Sequence, residues 1–221
     1  MARSTTITLL RHAQSTANLK GVLAGRIDGI SLSPEGLAQA DRLAEALQAI
    51  TFDQIFTSPL QRCQETIAPL LKRTKQRSVR SKSLLEMDYG KWSGKKLALL
   101  ATKKEWASIQ SAPSRFTFPD GESFEEMRSR LVAFIEEKRK VGGEILLVTH
   151  GDVIKVVLAH YLGTPLDLFQ RITIDPSSLS TIAFREDRVQ VIRVNDTSYL
   201  KSTLLPEKRD GHDLGGGAGP R

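Results

Sequence analysis

Arg11 and His12 stand directly after a β-branched and apolar run at residues 5–10. A neutral imidazole whose second nitrogen is held by an acceptor is a nucleophile for phosphorus. A guanidinium beside it neutralises a dianionic phosphate with paired donors. The dipeptide alone is weak support, because a structural histidine held by backbone groups at the end of a buried strand explains it equally well.

Three further side chains would complete a site for phosphoryl transfer. Arg62 and His150 follow two other strand-like runs, and Glu86 supplies a carboxyl group that protonates a leaving oxygen if burial or neighbours raise its pKa. Positive charge from Arg11, Arg62, and His150 if protonated, would surround the phosphoryl oxygens without a metal. Each residue also has a plain interpretation as a solvated arginine, a core histidine or a loop carboxylate.

Asp88, two residues after Glu86, is a second candidate for the acid. The pattern of Glu86 followed by Gly90, with Trp92 beyond, favours Glu86. Of the other candidates, we expect His160 to be structural and Cys63 to be a packed thiol.

The strands that must position these residues are recognisable from apolar and β-branched runs. We predict strands at residues 5–10, 52–57 and 144–149, and a closing pair at 180–184 and 189–194 around the turn Glu186-Asp187.

The helices between the strands carry start signals and apolar residues at helical spacing. Ser33 and Pro34 begin one helix, and pairs of residues three apart predict capping boxes at Ser58 and Gln61 and at Ser123 and Glu126. The apolar face of the first helix is predicted to comprise Leu37, Ala40, Leu43, Ala44, Leu47 and Ile50. A last helix is predicted to contain Val153, Val156, Val157 and Tyr161.

Strands and helices alternate, which predicts an α/β fold: three α/β/α layers with a mostly parallel central sheet. Ligands of such sheets bind beyond the carboxyl ends of the strands. The Arg11-His12 pair, residues 58–62 and His150 are all predicted to lie at such ends.

We predict one domain over residues 1–195 and a disordered tail over 196–221, which is polar and ends in GGGAGPR. Within the domain, residues 92–122 are predicted to form a lid-like excursion over the strand ends. Its aromatic residues would either form an apolar wall for the leaving group or the core of the lid; they are Trp92, Trp106, Phe116 and Phe118.

The composition of the chain argues against several classes of protein. The chain has 221 residues, 40% hydrophobic content and a net charge of +7, and no apolar run reaches the ~20 residues of a membrane span. The single cysteine, Cys63, excludes an intrachain disulfide and a multi-cysteine metal site, and a cytoplasmic location is expected. A basic run without interleaved aromatics predicts a solvated face and no nucleic-acid binding; it comprises Lys72, Arg73, Lys75, Arg77, Arg80 and Lys82.

Five segments occur in one order along the chain: LLRHAQSTAN, LAGRIDGISLSPEG, SPLQRCQET, LLEMDYGKWSG and LLVTHGDVIK. Together they resemble the histidine phosphatase superfamily, with its phosphoglycerate-mutase-like fold, over roughly residues 5–185. The resemblance implies that His12 becomes phosphorylated, that Arg11, Arg62 and His150 hold the phosphate, and that Glu86 is the acid and base. It implies no metal and no cofactor. Substrate contacts are expected from Asn18, Gln14, Ser15, Gly25 and Arg26, with Gln14 at the pocket rim.

Two residues depart from the family pattern: Ala13 replaces the usual glycine after the histidine, and Gln14 replaces the common glutamate. Ala13 would crowd the phosphate if its φ were positive.

Met87 replaces the arginine that follows the acid in the mutases of this family. Together with the compact 92–122 segment, Met87 favours a metal-independent phosphatase acting on a small phosphate monoester, similar to α-ribazole and broad-specificity phosphatases. We expect a monomer or homodimer. The alternatives are a phosphomutase and a non-catalytic phosphate-binding member of the fold. A metal-dependent phosphoesterase fits the sequence less well, because the sequence lacks clusters of carboxylates and histidines at the spacing of metal ligands.

Overall fold

A six-stranded sheet lies at the centre of the computed structural model, which describes residues 4–186 and 188–200. The strands are β1 (Thr5–Arg11), β2 (Gln54–Thr57), β3 (Val79–Arg80), β4 (Gly143–Thr149), β5 (Leu179–Arg185) and β6 (Arg188–Asp196). The helices are α1 (Thr16–Leu19), α2 (Pro34–Leu47), α3 (Gln61–Thr74), α4 (Leu97–Leu100), α5 (Lys104–Ser111), α6 (Phe124–Lys138) and α7 (Gly151–Tyr161).

The strand order is β3-β2-β4-β1-β5-β6. The first four strands in this order are parallel, and β5 and β6 add an antiparallel pair at one side. The predicted strands and the predicted closing pair are therefore confirmed, and Asp187 of the predicted turn lies outside the described residues. Because β1, β2 and β4 run in the same direction, their carboxyl ends meet at one edge of the sheet.

Alternate residues of the strands point to opposite faces and build two separate cores. On one face, Ile7 of β1 and Leu147 of β4 join the apolar residues of α6 and α7. On the other face, Leu10 and Val148 join those of α2 and α3. This arrangement confirms the predicted three layers.

The predicted helix starts are right in two cases and wrong in one. Ser33 caps α2, and Ser123 and Glu126 form the capping box of α6. The predicted box at Ser58 is wrong: α3 begins after Leu60 without a side-chain cap, because the Ser58 hydroxyl bonds to the His150 ring instead.

The predicted apolar face of α2 needs two corrections. Leu37 and Ile50 are 53% and 42% exposed, since Leu37 lies off the buried stripe and Ile50 follows the end of the helix. The other four residues predicted for this face are buried.

Residues 92–122 contain α4, α5 and a 3₁₀ turn at Pro113–Arg115, and a further 3₁₀ turn at Gly90–Trp92 leads into them. The ring of Trp92 lies within 6.5 Å, centroid to centroid, of the rings of Trp106, Phe116 and Phe118. These rings pack into the same cluster as α6 and α7. Of the two roles considered for them, the structure therefore gives them that of a packed core.

The chain remains regular past the predicted end of the domain at Asn195. Strand β6 extends to Asp196, residues Ser198–Leu200 form a 3₁₀ turn, and the Tyr199 hydroxyl donates to the carbonyl of Ser177. The rest of the predicted tail, residues 201–221, lies outside the described residues. All six residues of the basic run are exposed.

Gly90 is the residue at which a turn of the excursion contacts the segment that carries Glu86. Its φ is +49°, and a Cβ added there would lie 2.0 Å from the carbonyl oxygen of Pro119. We expect Gly90→Ala to lower the free energy of unfolding by several kcal/mol, measured by urea denaturation, because left-handed strain of about 1–3 kcal/mol adds to a backbone clash.

Gly163→Ala is the matched control for this prediction. Gly163 has a φ of +67° with no atom within 4 Å of the added Cβ, so it reports strain without a clash. Equal losses in the two variants would contradict the tight packing at Gly90.

Candidate active site

The carboxyl ends of three parallel strands bring the predicted residues together. Arg11 is the last residue of β1 and pairs in register with Thr149, the last residue of β4. The amide of His12 donates to the carbonyl of Thr149 at 2.9 Å, and the amide of Ser58, just beyond β2, donates to that of Val148 at 2.9 Å. The strand ends therefore fix the backbone of the site.

His12 is held in one tautomer. Its Nδ1 lies 2.7 Å from the carbonyl oxygen of Ala13, and because a carbonyl only accepts, Nδ1 carries the proton. Burial, together with the charges of Arg62 and Arg11, lowers the pKa of His12 well below its usual value. The ring is therefore neutral at neutral pH, with the lone pair on Nε2.

Arg62, in the first turn of α3, is 1% exposed and lines the cavity beside His12. Its Nη2 donates to the carbonyl of Gly25 at 2.8 Å, whereas its Nε and Nη1 have no hydrogen-bond partner among the described residues. Burial of such donors is costly unless a ligand satisfies them. The residue is thus suited to binding an anion in the cavity that His12 also lines.

Arg11 supplies a second buried guanidinium. Its Nη1 donates to the carbonyl of Ile174 at 2.6 Å, which fixes the side chain. Burial lowers the pKa of both arginines from the usual value, and the carboxyl of Glu86 opposes that shift in each.

His150 packs against His12 with an edge contact of 5.3 Å between ring centroids. Its Nε2 lies 2.8 Å from the Ser58 hydroxyl. Burial and the charge of Arg62 lower its pKa well below the usual value. His150 is therefore neutral, and the expected contribution of positive charge from a protonated His150 is not supported.

Cys63 lies next to His150 and is a packed thiol. Its Sγ is 3.6 Å from His150 Nε2, and burial raises its pKa to about 12.

Glu86 lies on a segment without regular secondary structure, between two 3₁₀ turns. One carboxylate oxygen accepts from the amide of Met87 at 3.0 Å. Burial, followed by the charge of Asp152, raises its pKa to about 7 despite both arginines. Asp88, the rival candidate, points instead to Arg26, so Glu86 is the carboxyl group of the cavity.

One cavity contains His12, Arg62 and Glu86 in its wall. The remaining wall consists of residues from the α1 region and the loop that follows it, together with Tyr89 and Leu97. The lining residues are His12, Ser15, Asn18, Gly21, Val22, Leu23, Ala24, Gly25, Arg62, Glu86, Tyr89 and Leu97. Arg11 and His150 lie outside this set and contact the site through His12 and the strand ends.

Three of the five predicted substrate contacts line the cavity: Asn18, Ser15 and Gly25. Ser15 and Asn18 are also joined by the capping box of α1, with the Asn18 side-chain oxygen accepting from the backbone amide and hydroxyl of Ser15. Their positions therefore depend on each other.

Gln14 and Arg26 do not line the cavity, which corrects their predicted placement. Gln14 is buried, and its side-chain oxygen accepts from the Ser33 hydroxyl at 2.7 Å. The Arg26 guanidinium turns to Asp88, Glu122 and the Glu86 carbonyl. Long side chains have several reachable partners: the Ser33 hydroxyl as a donor placed Gln14, and neighbouring acceptors placed Arg26.

Ala13 fits without strain, since it is not among the residues with positive φ. Its amide donates to the Thr66 hydroxyl at 2.9 Å, and its side chain packs with Leu32 and Ala40. The crowding considered for this position does not occur.

Sequence reasoning missed the apolar part of the wall and Tyr89. Val22 and Leu97 lie outside the five segments, and Leu23 and Ala24 begin the segment LAGRIDGISLSPEG but have apolar side chains that suggest no chemistry. Tyr89 lies within the segment LLEMDYGKWSG, and its hydroxyl donates to Asp152 at 2.7 Å. Within residues 4–186 and 188–200, no group of three or more His, Cys, Asp or Glu side chains is arranged to hold a metal ion, and no helix is long and apolar enough to cross a membrane.

Residues 7–197 match the family described as Histidine phosphatase superfamily (branch 1). The chain is 29% identical over 196 residues to Phosphoserine phosphatase 1 of Hydrogenobacter thermophilus, covering 87% of this chain and 92% of the relative. It is 31% identical over 168 residues to a 2,3-bisphosphoglycerate-dependent phosphoglycerate mutase of Mesorhizobium japonicum, covering 70% and 80%.

Among solved structures, the alpha-ribazole phosphatase of Shigella flexneri shares the fold, with a TM-score of 0.78 at 23% identity over 87% of this chain and 96% of that chain. The match to the family spans most of the chain, and the relatives include proteins named as phosphatases. The chain therefore belongs to the histidine phosphatase superfamily and is an enzyme of the phosphoric monoester hydrolase class.

Proposed function

We propose that the protein hydrolyses small phosphate monoesters without a metal, through a phosphohistidine on Nε2 of His12 and with Glu86 as acid and base. In the first step Nε2 forms a bond to phosphorus, the bond to the leaving oxygen breaks, and that oxygen takes the proton of Glu86. In the second step the Glu86 carboxylate takes a proton from water. The water oxygen bonds to phosphorus, and the N–P electron pair returns to His12.

The observation that carries this proposal is a pair of Arg62 donors without a hydrogen-bond partner among the described residues, in the wall of the same cavity as His12, whose Nε2 has the lone pair. Phosphoryl transfer depends on positioning and on positive charge around the transferred group. Arg62 and Arg11 provide that charge, and the neutral His150 provides a hydrogen-bonding ring rather than a cation. A non-catalytic phosphate-binding protein would not need a nucleophile in one tautomer or a carboxyl group with a pKa of about 7.

Phosphoglycerate mutases are among the relatives, so transfer to a second substrate is the alternative. Met87 supports water as the acceptor, because it is buried in the core and leaves no side chain in the cavity at that position. The apolar wall formed by Val22, Leu23, Ala24 and Leu97 suits a small leaving group with apolar surface. The proposal includes a reducing, cytoplasmic location, in keeping with Cys63 as a buried neutral thiol.

The test is to trap the phosphoenzyme. The protein is incubated with ³²P-labelled phosphate monoesters in EDTA, and the bound label is examined for lability in acid and stability in base. We expect acid-labile label and undiminished phosphate release. Label that survives acid, or activity abolished by EDTA, would overturn the proposal, and transfer of label to a second organic acceptor would favour the mutase.

The pH dependence of hydrolysis should follow Glu86. Because its pKa is about 7 and the acid must be protonated, kcat/KM for phenyl phosphate is expected to fall as pH rises through about 7. His12 has a lowered pKa and stays neutral well below pH 6.5, so it adds no loss in that range. Stopped assays in constant ionic strength measure the profile. A flat profile between about pH 6 and 9 would exclude Glu86 as the acid.

A further inference from the structure

Glu86 has no helix or strand to fix its position, yet a general acid must lie within hydrogen-bond reach of the leaving oxygen. Its backbone is instead held from the side by long side chains. The carbonyls of Ser83 and Leu85 accept from Nη1 and Nη2 of Arg130 at 2.7 and 2.9 Å. The carbonyl between them, that of Leu84, accepts from the Thr149 hydroxyl at 2.8 Å.

The carbonyl of Glu86 itself is shared by two arginines. Nη2 of Arg130 lies 3.3 Å away, and Nε of Arg26 donates at 2.9 Å. Four successive carbonyls, from residue 83 to residue 86, thus accept from side chains, and Arg130 contacts three of them.

Glu122 holds the two guanidiniums in place. One carboxylate oxygen accepts from Nε of Arg130 at 2.6 Å, and the other accepts from Nη2 of Arg26 at 2.9 Å and from Nη2 of Arg130 at 3.1 Å. The side chains of Glu122 and Arg130 are only 12% and 21% exposed. Charge-assisted bonds of this length in partly buried surroundings are among the stronger polar contacts in proteins.

We propose that Arg130, fixed by Glu122, is a positioning residue for the acid step: it holds the backbone at residues 83–86 so that the Glu86 carboxyl meets the leaving oxygen. This inference rests on the proposed role of Glu86. A displacement of about 1 Å at a catalytic group costs on the order of 10²-fold in rate. Loss of Arg130 should therefore slow the step in which Glu86 protonates the leaving oxygen.

Two substrates whose leaving groups differ in basicity distinguish this positioning role from a merely structural one. Phenyl phosphate releases a phenol with a pKa of about 10, as in tyrosine, and needs the acid. 4-Nitrophenyl phosphate releases a weaker base and needs it less. We expect Arg130→Met to lower kcat/KM for phenyl phosphate by about 10-fold or more and that for 4-nitrophenyl phosphate by less than about threefold. Arg130→Lys, which keeps the charge but loses the fork, should show the same selective loss.

Arg128→Met is the matched control on the same helix, since Arg128 forms an exposed pair with Glu125 at 2.6 Å. This variant should leave kcat/KM unchanged for both substrates. If Arg130→Met fails to fold by circular dichroism, Glu122→Gln carries the test with the same expected selectivity. Equal losses for both substrates, or no loss in a folded variant, would overturn the positioning role. A wild-type protein that hydrolyses neither ester would instead refute the proposed function.

Discussion

The variant His12→Gln is expected to lose phosphate release by at least about 10⁴-fold, because no other group replaces the nucleophile. The Nδ1 contact to Ala13 leaves the lone pair on Nε2, the proposed attacking atom, and a glutamine amide nitrogen has no comparable lone pair. The variant should also take up no acid-labile label from ³²P-labelled substrate. Initial-rate assays and quenched labelling measure the two losses.

His160→Gln is the control for the loss of an imidazole. His160 lies in the last turn of α7 with an exposed side chain, and its replacement should leave the activity unchanged. Turnover by His12→Gln within tenfold of the wild-type protein would mean that phosphate is released without a covalent intermediate on this residue.

Arg62→Met is expected to separate activity from stability. The loss in kcat/KM should be on the order of 10³-fold or more, as for other arginines that neutralise a transferred phosphoryl group. The melting temperature should stay the same or rise, because the substitution removes a buried charge with two donors that no described residue satisfies and fills the space with a hydrophobic side chain. Within the part of the chain that the structure describes, the fold would lose the hydrogen bond from Arg62 to the carbonyl of Gly25.

Thermal unfolding with and without inorganic phosphate measures this prediction. Phosphate should raise the melting temperature of the wild-type protein, since a ligand that binds only the folded state stabilises it. The shift should vanish in Arg62→Met and persist in Arg73→Met, a control on the same helix whose partner is the exposed Glu45. A phosphate shift retained by Arg62→Met would show that the anion binds elsewhere.

The sequence was sufficient to predict the layers, the parallel strands and the strand ends at which His12, Arg62 and His150 lie. These features depend on apolar periodicity and on the position of a residue relative to a strand, both of which are local. Glu86, which the sequence pattern favours over Asp88 as the acid, lines the cavity, whereas Asp88 pairs with Arg26.

Predictions that depended on the direction of a long or polar side chain were less successful. Ser58 bonds across the sheet to His150 instead of capping α3, and Arg26 turns to Glu122 instead of the cavity. These partners lie 92 and 96 residues away in the chain. Such contacts follow from tertiary packing, to which local spacing gives no access. Arg130 and Glu122 were not predicted for the same reason.

The order of strands in the sheet has a consequence for synthesis on the ribosome. Strand β4 lies between β1 and β2, although it is translated after both of them. A growing chain therefore emerges with His12 and Arg62 beyond two strands, β1 and β2, that are not neighbours in the sheet, and the arrival of β4 sets the register of these strands. His150 immediately follows β4, so the last strand needed for alignment also brings the last ring of the site. We therefore expect catalytic competence to be a late event in biogenesis and chains that stop before His150 to be inactive.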